Sequence, residues 1–318
     1  MKECITVLVL LPLNEAEKRE LEAIAPNHYL YPEGGEPDPD MIRKSHVILG
    51  NVPPESLKLA ENLKWLQLHS AGAEEYITCG WFPAGTVLTN ASGAYGPAIA
   101  EHMLAMLLTI QKKLYVYHEQ KERTEWKSAG PVTSIDGSTT LMIGLGDVGS
   151  CFASRMKSLG SATIGVKRHK TQKPDFIDEL YLTDELDVLL PRADIVALAL
   201  PHTPKTHQLM NFNRLKALKK TAVLLNVGRG QAIDTEALCD LMEQGHLLGA
   251  GLDVTDPEPL PPDHRLWKIK NVVITPHVAG GYHLPATRSR IVQIALENYA
   301  RYQNHEPLKN VVDFSQGY

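Results

Sequence analysis

Short apolar runs alternate with helical patterns along most of the chain. The first series of runs is "ITVLVLL", "HYLY", "HVILGN", "LKWLQLHS" and "TVLTN". Their length and their content of Val, Ile, Leu and Thr predict β-strands. Helical stretches lie between them, such as "NEAEKRELEAIA", where Asn14 stands at the N-cap position. A second series begins at Thr139 and runs "TTLMIG", "ATIGV", "DIVALAL", "TAVLLNV", "LLGAGLD" and "NVVITP". Strands alternating with helices in this way predict parallel α/β architecture.

Between the two series comes "GPAIAEHMLAMLLTIQKKLYVYHEQ", with Pro97 near its start, where a missing N–H costs nothing. It predicts a long crossover helix, apolar enough to be buried on more than one side. Packing between domains and a contact between two subunits both fit that pattern. After the last strand, "ATRSRIVQIALENYARYQ" predicts another long helix. By returning to the first domain it would make that domain discontinuous. The expected domains are residues 1–97 with 284–318, and residues 98–283.

A chain of 318 residues has room for two such domains. Its formal charge of −5 argues against nucleic acid as a partner, since such a binder needs a basic surface. Cys4, Cys79, Cys151 and Cys239 are scattered, which predicts reduced thiols in a cytoplasmic protein. The histidines and cysteines show no metal-site spacing. The apolar run Val7–Leu11 is too short to span a bilayer, so a soluble protein without a membrane partner is expected.

Gly144, Gly146 and Gly149 form G-x-G-x-x-G directly after a predicted strand and before a predicted helix. In that context the glycines allow a tight turn, close approach of a pyrophosphate and close helix packing, while the helix N-terminus supplies N–H donors. The next strand ends at Lys167, Arg168, His169 and Lys170. An acid at this place would accept hydrogen bonds from a ribose, which a cation cannot do. Guanidinium and ammonium groups hold phosphate instead. The run therefore predicts NADP(H), through Arg168 with Lys167 beside it, and leaves NAD(H) as the second choice.

Residues just past the other strands carry chemistry as well. Arg229 sits between glycines after "TAVLLNV", Asp253 ends "LLGAGLD" with Glu258 shortly after, and His277 follows "NVVITP". In a parallel sheet these strand ends face the ligand. Hydride transfer to a ketone needs a proton donor, and histidine titrates in the useful range. A neighbouring carboxylate orients the imidazole, and an arginine can clamp a carboxylate and polarise a carbonyl. A 2-keto acid meets those demands. Tyr95, in the loop before the crossover helix, is either a substrate-facing residue or a packed aromatic.

"NVGRGQAIDTEAL", "GLDVTDPEPLPPDHRLW" and "NVVITPHVAGG" resemble the three signature blocks of the D-isomer-specific 2-hydroxyacid dehydrogenase family. "LMIGLGDVGS" resembles its cofactor fingerprint, and "LQLHSAGAEEY" and "ASGAYGPAIAEH" resemble its substrate-domain loops. The resemblance implies two Rossmann-like doubly wound domains, the first flavodoxin-like, with an active site in the cleft and a homodimeric assembly. It implies His277 as general acid/base, Glu258 as its partner and Arg229 as the substrate-orienting residue. Ser70, Ala71, Gly72 and Tyr95 would join Arg229 and His277 around the substrate. Asp147, Val148, Thr203 and Val227 would lie along the cofactor, and Asp253 at its nicotinamide end. The implied reaction is NADPH-dependent reduction of a small 2-keto acid, such as glyoxylate or hydroxypyruvate, to the D-2-hydroxy acid. Two alternatives share these motifs: a nucleotide-sensing, corepressor-like binding protein with little turnover, and a short NAD-dependent phosphoglycerate dehydrogenase.

Overall fold

Five parallel strands make the first sheet: β1 (Thr6–Val9), β2 (His28–Leu30), β3 (Val47–Leu49), β4 (Trp65–Gln67) and β5 (Val87–Thr89). Their order is β2-β1-β3-β4-β5, the flavodoxin-like arrangement. Every residue of β3 and β4 is buried, as a sheet covered on both faces requires. The computed structural model describes residues 4–315. The outermost residues of the expected first domain, 1–3 and 316–318, lie outside them. Contacts divide the chain into two units, residues 1–95 with 281–318 and residues 96–280.

Helix Glu15–Ile24 begins where Asn14 predicts it. The Asn14 side chain accepts from the Ala16 and Glu17 amides, and the Glu17 carboxylate accepts from the Asn14 amide. The last helix, Pro285–Gln303, packs on this first sheet. Tyr299 and Tyr302 stack on the buried Trp65 with centroids 6.5 and 5.2 Å away. Asn298 donates to the buried Gln67 at 2.8 Å, and Arg288 grips both Glu17 oxygens. The buried Gln67 oxygen thus accepts from both Asn298 and the Thr89 hydroxyl, each at 2.8 Å, tying the returning helix to the interior of the sheet.

The second unit is built on seven parallel strands. They are β6 (Thr139–Ile143), β7 (Ala162–Lys167), β8 (Glu179–Leu182), β9 (Ile195–Leu198), β10 (Val223–Asn226), β11 (Gly249–Leu252) and β12 (Val272–Ile274). Their order is β12-β11-β10-β9-β6-β7-β8. Strand succession reverses between β6 and β9, which is where an open sheet forms its ligand crevice.

Two features depart from the sequence reading. Strand β8 is absent from it, because an edge strand half-buried throughout and flanked by acids gives no long apolar run. The crossover segment is two helices, Gly96–Gln111 and Leu114–Glu122, rather than one. Lys113 between them has φ +57°, a left-handed conformation. The ammonium groups of Lys112 and Lys113 donate to the carbonyls of Thr133 and Ala129, both at 2.7 Å, and fix the break. Hydrophobic period alone cannot register such a turn. Among the described residues no helix is long and apolar enough to cross a membrane.

Candidate active site

The glycine fingerprint links β6 to helix Asp147–Ser158. At Gly149 a Cβ would lie 1.9 Å from the Gly144 carbonyl oxygen, so no other residue lets the helix approach the strand this closely. At Gly146, the helix N-cap, a Cβ would meet nothing within 4 Å. The backbone there faces open space at the start of a helix, whose N-terminal end favours an anion, which suits a pyrophosphate. Val148 packs on the core beneath. Asp147 does not point its charge at that space unopposed: its carboxylate accepts the Gly96 amide at 2.7 Å.

Lys167 closes β7 half-buried, and Arg168, His169 and Lys170 follow exposed. No acid stands at this strand end, and the local charge fits a phosphate. Past β9, Thr203 heads a turn in which its amide donates to the Thr206 hydroxyl at 2.8 Å. Val227, at the end of β10, is nearly buried.

The next three strand ends form one connected assembly. The buried Asn226 accepts from the Gly228 amide at 3.1 Å and donates to the Arg229 carbonyl at 2.9 Å. That clamp shapes the loop presenting Arg229, whose guanidinium donates to the Gly228 carbonyl at 2.8 Å. At Gly230 a Cβ would stand 1.9 Å from the Thr255 carbonyl oxygen. The Arg229 loop thus lies backbone against backbone on the loop that carries Glu258.

His277 and Glu258 meet at 2.6 Å, through Nδ1 and Oε1, with side chains 49% and 37% exposed. A carboxylate on Nδ1 fixes that nitrogen as the protonated one in the neutral ring and leaves Nε2 for exchange with a substrate. His277 itself is left-handed, with φ +53°. A non-glycine residue holds that conformation only where its surroundings over-determine it. Here its amide donates to the Asp253 carbonyl at 2.8 Å. The Asp253 carboxylate, 2% exposed, accepts from the Thr275 hydroxyl at 2.6 Å and the Val278 and Ala279 amides at 3.0 and 3.1 Å. The sequence reading expects Asp253 at the nicotinamide end of a cofactor. The structure shows its carboxylate holding the His277 turn. His102, given no role from the sequence, joins this group at 2.9 Å from the Thr275 hydroxyl. Nothing in one-dimensional spacing connects a helix residue to a loop so far along the chain.

The first unit holds the remaining candidates by itself. Ser70, Ala71 and Gly72 follow β4. The Asn51 side chain accepts from the His69 amide at 2.9 Å and donates to the Ser70 hydroxyl at 3.1 Å. Asn90 donates to the Ala71 carbonyl at 2.9 Å. These two asparagines carry no motif and were not legible as site residues. Tyr95 is buried behind the loop, its hydroxyl donating to the His69 carbonyl. Burial lowers the His69 pKa, and its ring lies 5.3 Å from that of Tyr282, whose hydroxyl burial pushes up to about 12 despite the pull of Arg288. Among the described residues no group of three or more His, Cys, Asp or Glu is placed to hold a metal ion.

Comparison with known proteins supports the fold and its family. The family model for the D-isomer specific 2-hydroxyacid dehydrogenase, NAD binding domain, matches residues 104–279. A glyoxylate reductase of Thermofilum pendens is 31% identical over 79% of this chain and 75% of its own. A D-isomer specific 2-hydroxyacid dehydrogenase family protein of Aeromonas salmonicida superposes with a TM-score of 0.87 at 31% identity, over 98% of this chain and 100% of its own. An NADPH-dependent glyoxylate/hydroxypyruvate reductase of Sinorhizobium meliloti, solved with NADP and sulfate, gives a TM-score of 0.82 at 25% identity, over 99% and 100%. With two parallel α/β units, a nicotinamide-dinucleotide fingerprint and an imidazole–carboxylate pair beside an arginine loop, the chain belongs to the D-isomer-specific 2-hydroxyacid dehydrogenase family.

Proposed function

We propose that this enzyme reduces a small 2-keto acid to the D-2-hydroxy acid with NADPH. The observation that carries the reading is the His277–Glu258 pair, 2.6 Å apart at a half-exposed position on a left-handed turn. A bound nicotinamide cofactor supplies the hydride. His277 donates the proton to the developing alkoxide from Nε2 and takes it back in the reverse direction. Glu258, 2.6 Å from Nδ1, orients the ring so that Nε2 is the nitrogen presented for transfer. Arg229 clamps the substrate carboxylate and polarises the carbonyl, a task that suits guanidinium geometry.

On the first unit, Ser70, Ala71 and Gly72 also receive the substrate carboxylate. Among the described residues the Ala71 and Gly72 amides have no acceptor, which supports this role. Tyr95 holds the loop from behind. Asp147, Val148 and Thr203 lie along the dinucleotide, with Val227 and Asp253 towards its nicotinamide. Lys167 and Arg168 take the 2′-phosphate; the basic strand end without an acid supports NADPH over NADH. Glyoxylate and hydroxypyruvate are the proposed substrates.

We place the enzyme in the cytoplasm as a homodimer, with domains as the sequence reading divides them. Helices Gly96–Gln111 and Leu114–Glu122 and the segment after them support the dimer. They expose Leu108, Leu114, Tyr117 and Val132, and Trp126 is fully exposed. Such apolar patches usually mark an interface. The test is NADPH oxidation, with NADH in parallel, across a panel from glyoxylate to phenylpyruvate. Turnover with small 2-keto acids and NADPH supports the reading, and cofactor binding without turnover on any keto acid overturns it.

A further inference from the structure

His102 lies on helix Gly96–Gln111, and its ring is aimed at the turn that carries His277. Its Nε2 is 2.9 Å from the Thr275 hydroxyl oxygen and 3.7 Å from Asp253 Oδ1, and its side chain is 24% exposed. Counting protons fixes the direction of this contact. The Thr275 hydroxyl has one hydrogen, and the short 2.6 Å contact with Asp253 commits it to the carboxylate. Towards His102 the same oxygen can only accept. His102 therefore carries its proton on Nε2 and donates it. The result is a hydrogen-bond chain of one polarity: His102 to Thr275, Thr275 to Asp253, with Asp253 also receiving the Val278 and Ala279 amides.

We propose that His102 is a positioning residue for His277. By donating to Thr275 it keeps that hydroxyl turned towards Asp253, and Asp253 in turn holds the backbone on which His277 stands at φ +53°. A left-handed histidine has no conformational reserve of its own, so its placement is set by what pins the turn. A hydroxyl with a free oxygen can rotate to other acceptors or to water. One that already accepts from a ring N–H loses that freedom. His102 touches no reacting atom in this scheme and acts only through Thr275 and Asp253. The effect on turnover rests on the reading of His277 as acid/base; the effect on the turn does not.

Two substitutions separate the hydrogen bond from the packing. His102→Leu fills similar space without a donor, whereas His102→Gln can offer an amide N–H at the reach of Nε2. Three quantities are measured on the full-length variants: kcat with NADPH and glyoxylate, the Kd for NADPH, and amide exchange at Val278 and Ala279. For His102→Leu the expected result is a roughly five- to tenfold fall in kcat, the worth of one hydrogen bond. Exchange at both amides should speed up several-fold while Kd stays within about twofold. His102→Gln should restore kcat and exchange to near wild type. An unchanged kcat and exchange in His102→Leu overturns the proposal. So does equal damage in both variants, or a parallel loss of NADPH binding, since each marks a packing role. If the wild-type enzyme turns over no keto acid, the acid/base reading of His277 fails, and the exchange rates alone then decide whether His102 pins the turn.

Discussion

Asp253→Asn is the most informative small change in this protein, because it alters one atom inside a fully assigned set of contacts. In the native turn one carboxylate oxygen accepts from Thr275 at 2.6 Å and from Val278 at 3.0 Å, and the Ala279 amide is shared between this oxygen, at 3.3 Å, and the other, at 3.1 Å. Asparagine can keep its oxygen on Thr275 and Val278. Its amide nitrogen then faces the Ala279 N–H, donor against donor, at a site only 2% exposed. Ala279 loses the shorter of its two contacts with a charged acceptor, at most about 1.5–3 kcal/mol, and keeps only the longer one at 3.3 Å. Val278 exchanges a charged acceptor for a neutral one, a loss of about 1 kcal/mol. Since about 1.4 kcal/mol is a factor of ten, amide exchange should accelerate up to roughly 10- to 100-fold at Ala279 and about fivefold at Val278. Exchange measured by NMR on the variant and the wild type reads both sites at once, and kcat should fall alongside because His277 stands on the same turn. Equal acceleration at the two amides, or none at either, would refute the assignment of Asp253 as the anchor of the turn.

Other expectations are simpler. Replacing His277 with Gln should cut keto-acid turnover roughly 10²–10⁴-fold, read by steady-state kinetics, with NADPH affinity by fluorescence titration retained. Arg168→Ala should weaken NADPH far more than NADH; an equal loss for both would remove the 2′-phosphate from the reading. The Arg288 contact holds Glu17 below the usual carboxylate range. A lowered carboxyl pKa stabilises the fold above the ordinary range, and that stability disappears as pH falls through it. Glu17→Gln should therefore lower the urea midpoint at pH 7, and the difference from wild type should shrink as pH falls below the ordinary carboxylate range.

Much of this molecule is written in local pattern. Alternating apolar runs and helical stretches are enough to specify parallel α/β layers, because a strand buried on both faces must be apolar along its whole length. Gly149 was legible for a similar reason: a 1.9 Å approach to the Gly144 oxygen leaves room for no other residue. Arg229, Glu258 and His277 could be picked out because each directly follows a strand, and parallel strands all end on one side of their sheet. Local pattern fails where a partner lies far along the chain. The edge strand β8 and the break at Lys113 depend on neighbours that carry no periodic signal. Asn51 and Asn90 brace the Ser70–Gly72 loop from other strands. The buried carboxylate of Asp253 turned inwards because three donors, from Thr275, Val278 and Ala279, converge on it. His102 met Thr275 only when its helix packed beside β12. The sequence by itself determined which chemistry is present and at which strand ends it stands, since strand and glycine constraints act over a few residues. Tertiary structure decided which polar groups face one another, because a hydrogen bond requires atoms within about 3 Å and only packing brings residues from distant segments that close.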